Sequence, residues 1–147
     1  MAIEGSASIV IEAPIERVYA VAADVESSPR WQPQFKRVEV LERDGDGDQT
    51  LVRMVTDGKV RDLRSDVRFD YDPPAGLRWR QVKGDLKSVD GSWSFEDLGD
   101  GTTRATYTLS VDLGRILGAV IRGPVVGILR QQLVDSMPDK LKRDVEG

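Results

Sequence analysis

Arg61, Gln81, Thr103 and Tyr107 are the polar side chains that the alternating pattern of this chain aims at its apolar face, where they could orient a bound molecule or steer a proton. The chemistry open to them is narrow. The 147 residues include no cysteine and no histidine, which removes disulfides, thiolate nucleophiles, the Ser-His-Asp triad, the ordinary zinc site and any imidazole poised near neutral pH. Any catalysis would rest on carboxylates, tyrosine, lysine, arginine or water. A general acid or base needs surroundings that hold it near the operating pH, and no carboxylate falls at an inward strand position, so no catalytic residue is assigned.

Other candidate motifs fail on their spacing. Asp44, Asp46 and Asp48 open like a calcium loop, but Gln49 stands where the turn glycine belongs and Val55 where the bidentate glutamate belongs. A solvated hairpin turn is the simpler reading. Gly114, Gly118 and Gly123 are followed by no Lys-Ser or Lys-Thr pair, so they match no phosphate-binding loop. No metal and no cofactor are expected. Trp31, Trp79 and Trp93 could stack on a flat ligand, although large aromatics commonly just fill a core.

The elements that must position these residues follow from periodicity. Ser8–Ile11 reads as a strand that hands over to a helix at Ala13-Pro14, with Ile15, Val18, Tyr19 and Ala22 on one stripe, before Pro29 and Pro33 interrupt regular structure around Trp31. From about residue 35 the pattern alternates, with turn signals at 44–48, 57–58, 72–76, 83–85 and 99–101, which predicts six further strands. In residues 60–71, Asp62, Arg64, Asp66, Arg68 and Asp70 share a face that must meet water, while Arg61, Leu63, Ser65, Val67, Phe69 and Tyr71 share the other. The same parity turns Met54, Trp79, Gln81, Gly91, Trp93, Ala105 and Tyr107 inward. Small residues at Ser65, Gly91 and Ala105 among polar tips are what a hollow, rather than a sealed core, would show. A bulge at Asp90-Gly91 would shift that parity.

The most apolar part of the chain, residues 114–129, carries only Arg115 and Arg122 as charges. Gly123-Pro124 should separate two helices, and Val126, Leu129, Leu133, Met137 and Leu141 form a stripe for a helix lying on the sheet. Pro138 predicts a kink near residues 134–137. Residues 114–123 are placed as a flap over a cavity mouth, with Trp31 and Phe35 on the opposite lip, as a plain buried turn, or as a segment in transient membrane contact.

Length and composition bound the rest. A chain of this size makes one domain, residues 1–147, and a domain of about 150 residues buries roughly 70% of its unfolded surface. With 21 basic against 25 acidic residues the net charge is −4, which argues against nucleic acid as the main partner. There is no signal-like amino terminus and no apolar run of spanning length, so a soluble, cytoplasmic protein is expected, as a monomer or weak homodimer.

The Ala13-Pro14 helix start, the Asp24-Val25-Glu26 and Trp31-Gln32-Pro33 runs, the strand Gly91–Phe95, the hairpin around Thr102-Thr103 and the carboxyl-terminal helix together resemble the START-related superfamily, in its polyketide cyclase/dehydrase and lipid transport branch. The resemblance covers the whole chain. It implies an α+β helix-grip fold: a curved antiparallel sheet of about seven strands wrapped around a long carboxyl-terminal helix, with short helices after the first strand and an apolar cavity between. Trp31, Phe35, Leu129 and Leu133 would then join the inward strand residues, Arg61 among them, around a ligand. The leading functional expectation is a carrier or sensor of a hydrophobic small molecule such as a lipid, quinone or polyketide. Alternatives are a polyketide aromatase/cyclase steered by Tyr107, Arg61 or water, and a protein-partner module of toxin or co-chaperone type.

Overall fold

The computed structural model describes residues 2–58, 61–121 and 123–147. The alternating stretches form one antiparallel sheet of seven strands: β1 (Ala2–Ile11), β2 (Phe35–Arg43), β3 (Gln49–Asp57), β4 (Asp62–Asp72), β5 (Gly76–Gly84), β6 (Ser88–Asp97) and β7 (Thr103–Asp112). Their order is β1-β7-β6-β5-β4-β3-β2, so the first strand closes onto the last and the remaining neighbours are consecutive hairpins. The rows across the sheet set the concave face. One runs Phe69, Trp79, Gly91, Leu109, Gly5, and the next runs Tyr71, Leu77, Trp93, Tyr107, Ala7.

Bulges let the sheet curve, since an extra residue bends its strand and increases the local twist. β2 carries register shifts against β3, and β5 carries one where Val67 faces Gln81 but Asp66 faces Lys83. The Asp90-Gly91 position is not bulged; its register is continuous on both sides. Inward parity therefore persists along β6.

Helix α1 (Ile15–Ala23) starts after Pro14, whose carbonyl accepts the amides of Arg17 and Val18. Ile15, Val18 and Ala22 are buried as the stripe requires. A 3₁₀ helix over Val25–Arg30 leads to Trp31. After β7 come α2 (Gly114–Val120) and α3 (Pro124–Arg130), separated at Gly123, whose φ of 67° lies in the left-handed region that glycine adopts without strain. A π turn over Gln131–Asp135 then joins α3 to α4 (Met137–Glu146). The π turn lies next to the stretch where Pro138 predicts a kink: the Ser136 amide donates to the Gln131 carbonyl five residues back.

Met137, Leu141 and Val145 are buried against β1 and α1, and the Arg30–Asp144 pair at 2.7 Å ties this helix to the 3₁₀ segment. Thr103, fully buried, donates to the Ala13 carbonyl at 2.8 Å. Asp44 accepts the amides of Asp46 and Asp48 and so closes the β2–β3 hairpin.

The outer face carries the expected cross-strand pairs, with one departure. Asp66 is buried, not solvated, because Arg53 covers it with two hydrogen bonds at 2.9 and 3.2 Å. Those bonds hold its carboxyl below the ordinary aspartate range against the opposing push of burial, with Arg64 and Lys83 adding to the effect. A group whose folded pKa is depressed stabilises above the unfolded pKa, about 3.9 for aspartate, and loses that contribution as pH falls through the folded value. Urea midpoints of wild type and Asp66→Asn should therefore differ at pH 7 and converge as the pH is lowered beyond that range. A difference that stays constant into acid would contradict this.

Candidate functional site

The sheet and helices enclose a hollow in two parts. The first chamber, about 110 Å³, lies between Ala22, Val25, Ser28 and Gln32 on one side and the strand residues Met54, Ser65, Val67, Phe69, Leu77, Val89 and Trp93 on the other. The second, about 140 Å³, lies between Ile3, Leu63, Leu109 and Val111 of the sheet and Leu113, Ile121, Leu129, Gln132 and Leu133 of the carboxyl-terminal third, with Gln34, Asp57 and Gly58 also in its wall. Phe35, Thr56, Trp79, Leu86 and Tyr107 border both chambers. They form the partition.

Trp79 anchors that partition. Its ring centroid is 5.8 Å from Phe69 and 5.6 Å from Tyr107, and Tyr107 in turn sits 4.7 Å from Trp93, separations typical of favourable aromatic pairs. A Cβ at Gly91 would lie 2.4 Å from the Trp79 ring, so the indole lies flat on the glycine backbone. The Tyr107 phenol is buried, which pushes its pKa well up. Gln34 Oε1 is buried without a partner among the described residues.

The structure brings Phe35, Met54, Ser65, Phe69, Trp79, Trp93, Tyr107, Leu129 and Leu133 to the cavity walls. It places six other candidates outside them. Trp31 is buried against Trp93 at 6.4 Å, in the core and not on a lip, and its indole N–H has no acceptor among the described residues. Arg61 precedes β4, so strand parity does not apply to it; its side chain is exposed and 3.8 Å from Asp85. Gln81 points inward, but its amide is consumed by Ser65 Oγ and the Leu86 carbonyl, both at 2.8 Å. That bridge sets the turn that carries Leu86. Gly91 is roofed by Trp79, and Ala105 is sealed in the core with no accessible surface. Thr103 is spent on the Ala13 carbonyl.

Within residues 114–121, Ile121 borders the second chamber and Leu117 is also buried, while Ile116 on the outer side of α2 is 83% exposed. Val120, Val125 and Ile128 are exposed on the same two short helices. Arg122 lies outside the described residues.

The sequence profile of the polyketide cyclase / dehydrase and lipid transport family matches residues 11–137. The chain belongs to this family. No curated protein matches it. Among solved structures, a Thermus thermophilus protein is 27% identical with a TM-score of 0.81, and a START superfamily protein from Mycobacterium smegmatis is 20% identical with a TM-score of 0.80; each alignment covers 97% of both chains. The Zhui aromatase/cyclase from a Streptomyces species is 22% identical with a TM-score of 0.75, over 99% of this chain and 94% of that one.

Of the other wall residues, Val67, Leu77, Val89 and Leu109 sit at inward strand parity. Leu86 lies in a turn and Gln32 and Gln34 in the loop after the 3₁₀ helix, where no period exists to point at them. Thr56 ends the inward row of β3.

Replacing Gly91 with alanine should force the Trp79 ring off the sheet and destabilise the protein by about 1–3 kcal/mol, as overpacking does. Thermal or urea unfolding with near-ultraviolet circular dichroism checks this. Unchanged stability and an unchanged tryptophan signal would contradict the packing described.

Proposed function

We propose that the protein binds a hydrophobic small molecule, such as a lipid, quinone or polyketide, in the divided cavity and acts as its carrier or sensor. The observation that carries this reading is the partition itself: mostly aromatic and aliphatic side chains around two chambers, with the buried Tyr107 phenol bordering both. Ligand pockets typically hold roughly 300–1,000 Å³, more than either chamber. A ligand of ordinary size would therefore span both, displacing part of the partition. Its affinity would come from apolar surface at about 25 cal/mol per Å², with the Tyr107 hydroxyl orienting a polar group.

A second reading, aromatase or cyclase, is supported by the fold shared with an enzyme of that activity. Among the described residues the ionisable group that borders the first chamber is Tyr107, which burial keeps protonated at neutral pH. It can donate a hydrogen bond to a polyketide carbonyl but cannot serve as a resting base. This favours binding over turnover.

Native mass spectrometry of the protein, before and after organic extraction, should show a co-purifying hydrophobic compound that extraction removes. Protein that is empty throughout, and that also takes up no lipid, quinone or polyphenol at micromolar concentration, would contradict the carrier reading. Tyr107→Phe should weaken binding by about 3- to 10-fold, the value of one neutral hydrogen bond. Loss of turnover on a poly-β-keto substrate with binding retained would instead favour the cyclase.

A further inference from the structure

We infer that the exposed side of α2 and α3 docks on an anionic lipid bilayer, with Ile116, Val120, Val125 and Ile128 entering the headgroup region and Arg115 and Lys87 meeting lipid phosphates. The inference concerns the outer surface, and it stands whether or not the hollow takes a ligand.

A surface helix ordinarily turns one apolar stripe to the core and a polar face to water. These two helices are apolar on both sides. At α2, Leu117 and Ile121 are buried, while Ile116 and Val120 lie outside, four residues apart. At α3, Val126 and Leu129 pack on the core, while Val125 and Ile128 lie outside, three residues apart. Spacings of three and four place each outer pair on one side of its helix, and the four side chains are 44% to 83% exposed. Elsewhere among the described residues the exposed large hydrophobics are Val10 and Val82, one on β1 and one on β5. Scattered residues of that kind are ordinary, whereas a concentration of them marks a surface that meets something apolar.

Charge says what that something is. Residues 113–134 hold three arginines, Arg115, Arg122 and Arg130, and no acidic residue, in a chain whose net charge is −4. Arg115 is exposed beside Ile116. Lys87, 72% exposed, adjoins the start of α2, where a Cβ at Gly114 would lie 3.6 Å from its own Cβ; its ammonium is 3.9 Å from Asp112. Arg130 reaches back over the Gly5 backbone. A second copy seated here about a two-fold axis would set the same basic residues against each other, and four apolar side chains fall far short of the roughly 20–30 residues that each side of a stable protein interface supplies. An anionic bilayer answers both features at once. Apolar side chains sink to the boundary of headgroups and acyl chains, and basic residues gain from the negative surface potential within about 10 Å. Each helix has 7 residues, against the roughly 20 that span a bilayer, so the pair lies in the membrane surface and does not cross it.

Co-sedimentation with vesicles tests this, using phosphatidylcholine alone and an equimolar mixture of phosphatidylcholine and phosphatidylglycerol, at neutral pH and at low and high salt. The wild-type protein should bind the mixed vesicles about 10-fold or more tightly than the neutral ones, and high salt should weaken that binding. Ile116→Ser combined with Ile128→Ser should weaken it by at least about 10-fold, with an unchanged thermal melt because both side chains are exposed. Arg115→Gln should weaken it about 5-fold. Binding to neither vesicle, equal binding to both, or a folded serine variant that binds like the wild type would overturn the inference. A dimer that the serine variant dissolves, in protein that ignores vesicles, would give this face to a second copy and overturn it too. The salt dependence needs no variant, and none of these outcomes decides whether the hollow is a ligand site.

Discussion

The contact of the Trp79 indole with the bare backbone of Gly91 is the constraint on which the interior depends. A side chain at residue 91 would occupy the place of the ring, and a ring lifted from the sheet would no longer reach Phe69 and Tyr107 together. Because it lies flat, it forms with Phe35, Thr56, Leu86 and Tyr107 a thin wall across the concave face. The size and number of the chambers follow from that wall. So does the place of the Tyr107 phenol, which is held between the Trp79 and Trp93 rings.

Why the hollow lies where it does follows from how the helices meet the sheet. At one end α4 buries Met137, Leu141 and Val145, with Val134 from the π turn. Toward the other end the chain breaks into two short helices around Gly123, and Leu129 and Leu133 are only partly covered. Close packing is the rule in protein interiors. Here it is met at the α4 end and relaxed beneath α2 and α3. The Gln81 amide, bonded to Ser65 and Leu86, keeps the relaxed end ordered by fixing the β5–β6 turn.

Much of this fold could be read in the sequence, because two periods and a few turn signals sufficed. The alternation in β4 assigned Ser65 and Phe69 to the interior, and Pro138 marked the break that appears as the π turn. The site was less legible, for local reasons. Parity carried one residue past a strand end misplaced Arg61. Smallness at Gly91 signalled space that the neighbouring Trp79 fills, since a single-strand pattern does not show what crosses over from the next strand. Inward polarity at Gln81 and Thr103 did not mean availability, because tertiary contacts used their hydrogen bonds. Leu86, Gln32 and Gln34 lie in turns and loops, which have no period at all.

The central claim is that the described hollow, and not the exposed side of α2 and α3, receives a hydrophobic molecule. Methyl NMR is the most direct check, following Met54, Leu86, Leu129 and Leu133 while N-phenyl-1-naphthylamine is added. The account predicts saturable shifts of these four methyl sets together, with Leu141 and Val145 at the filled end unmoved. Shifts confined to Ile116 and Ile128, or no shifts at all, would contradict it.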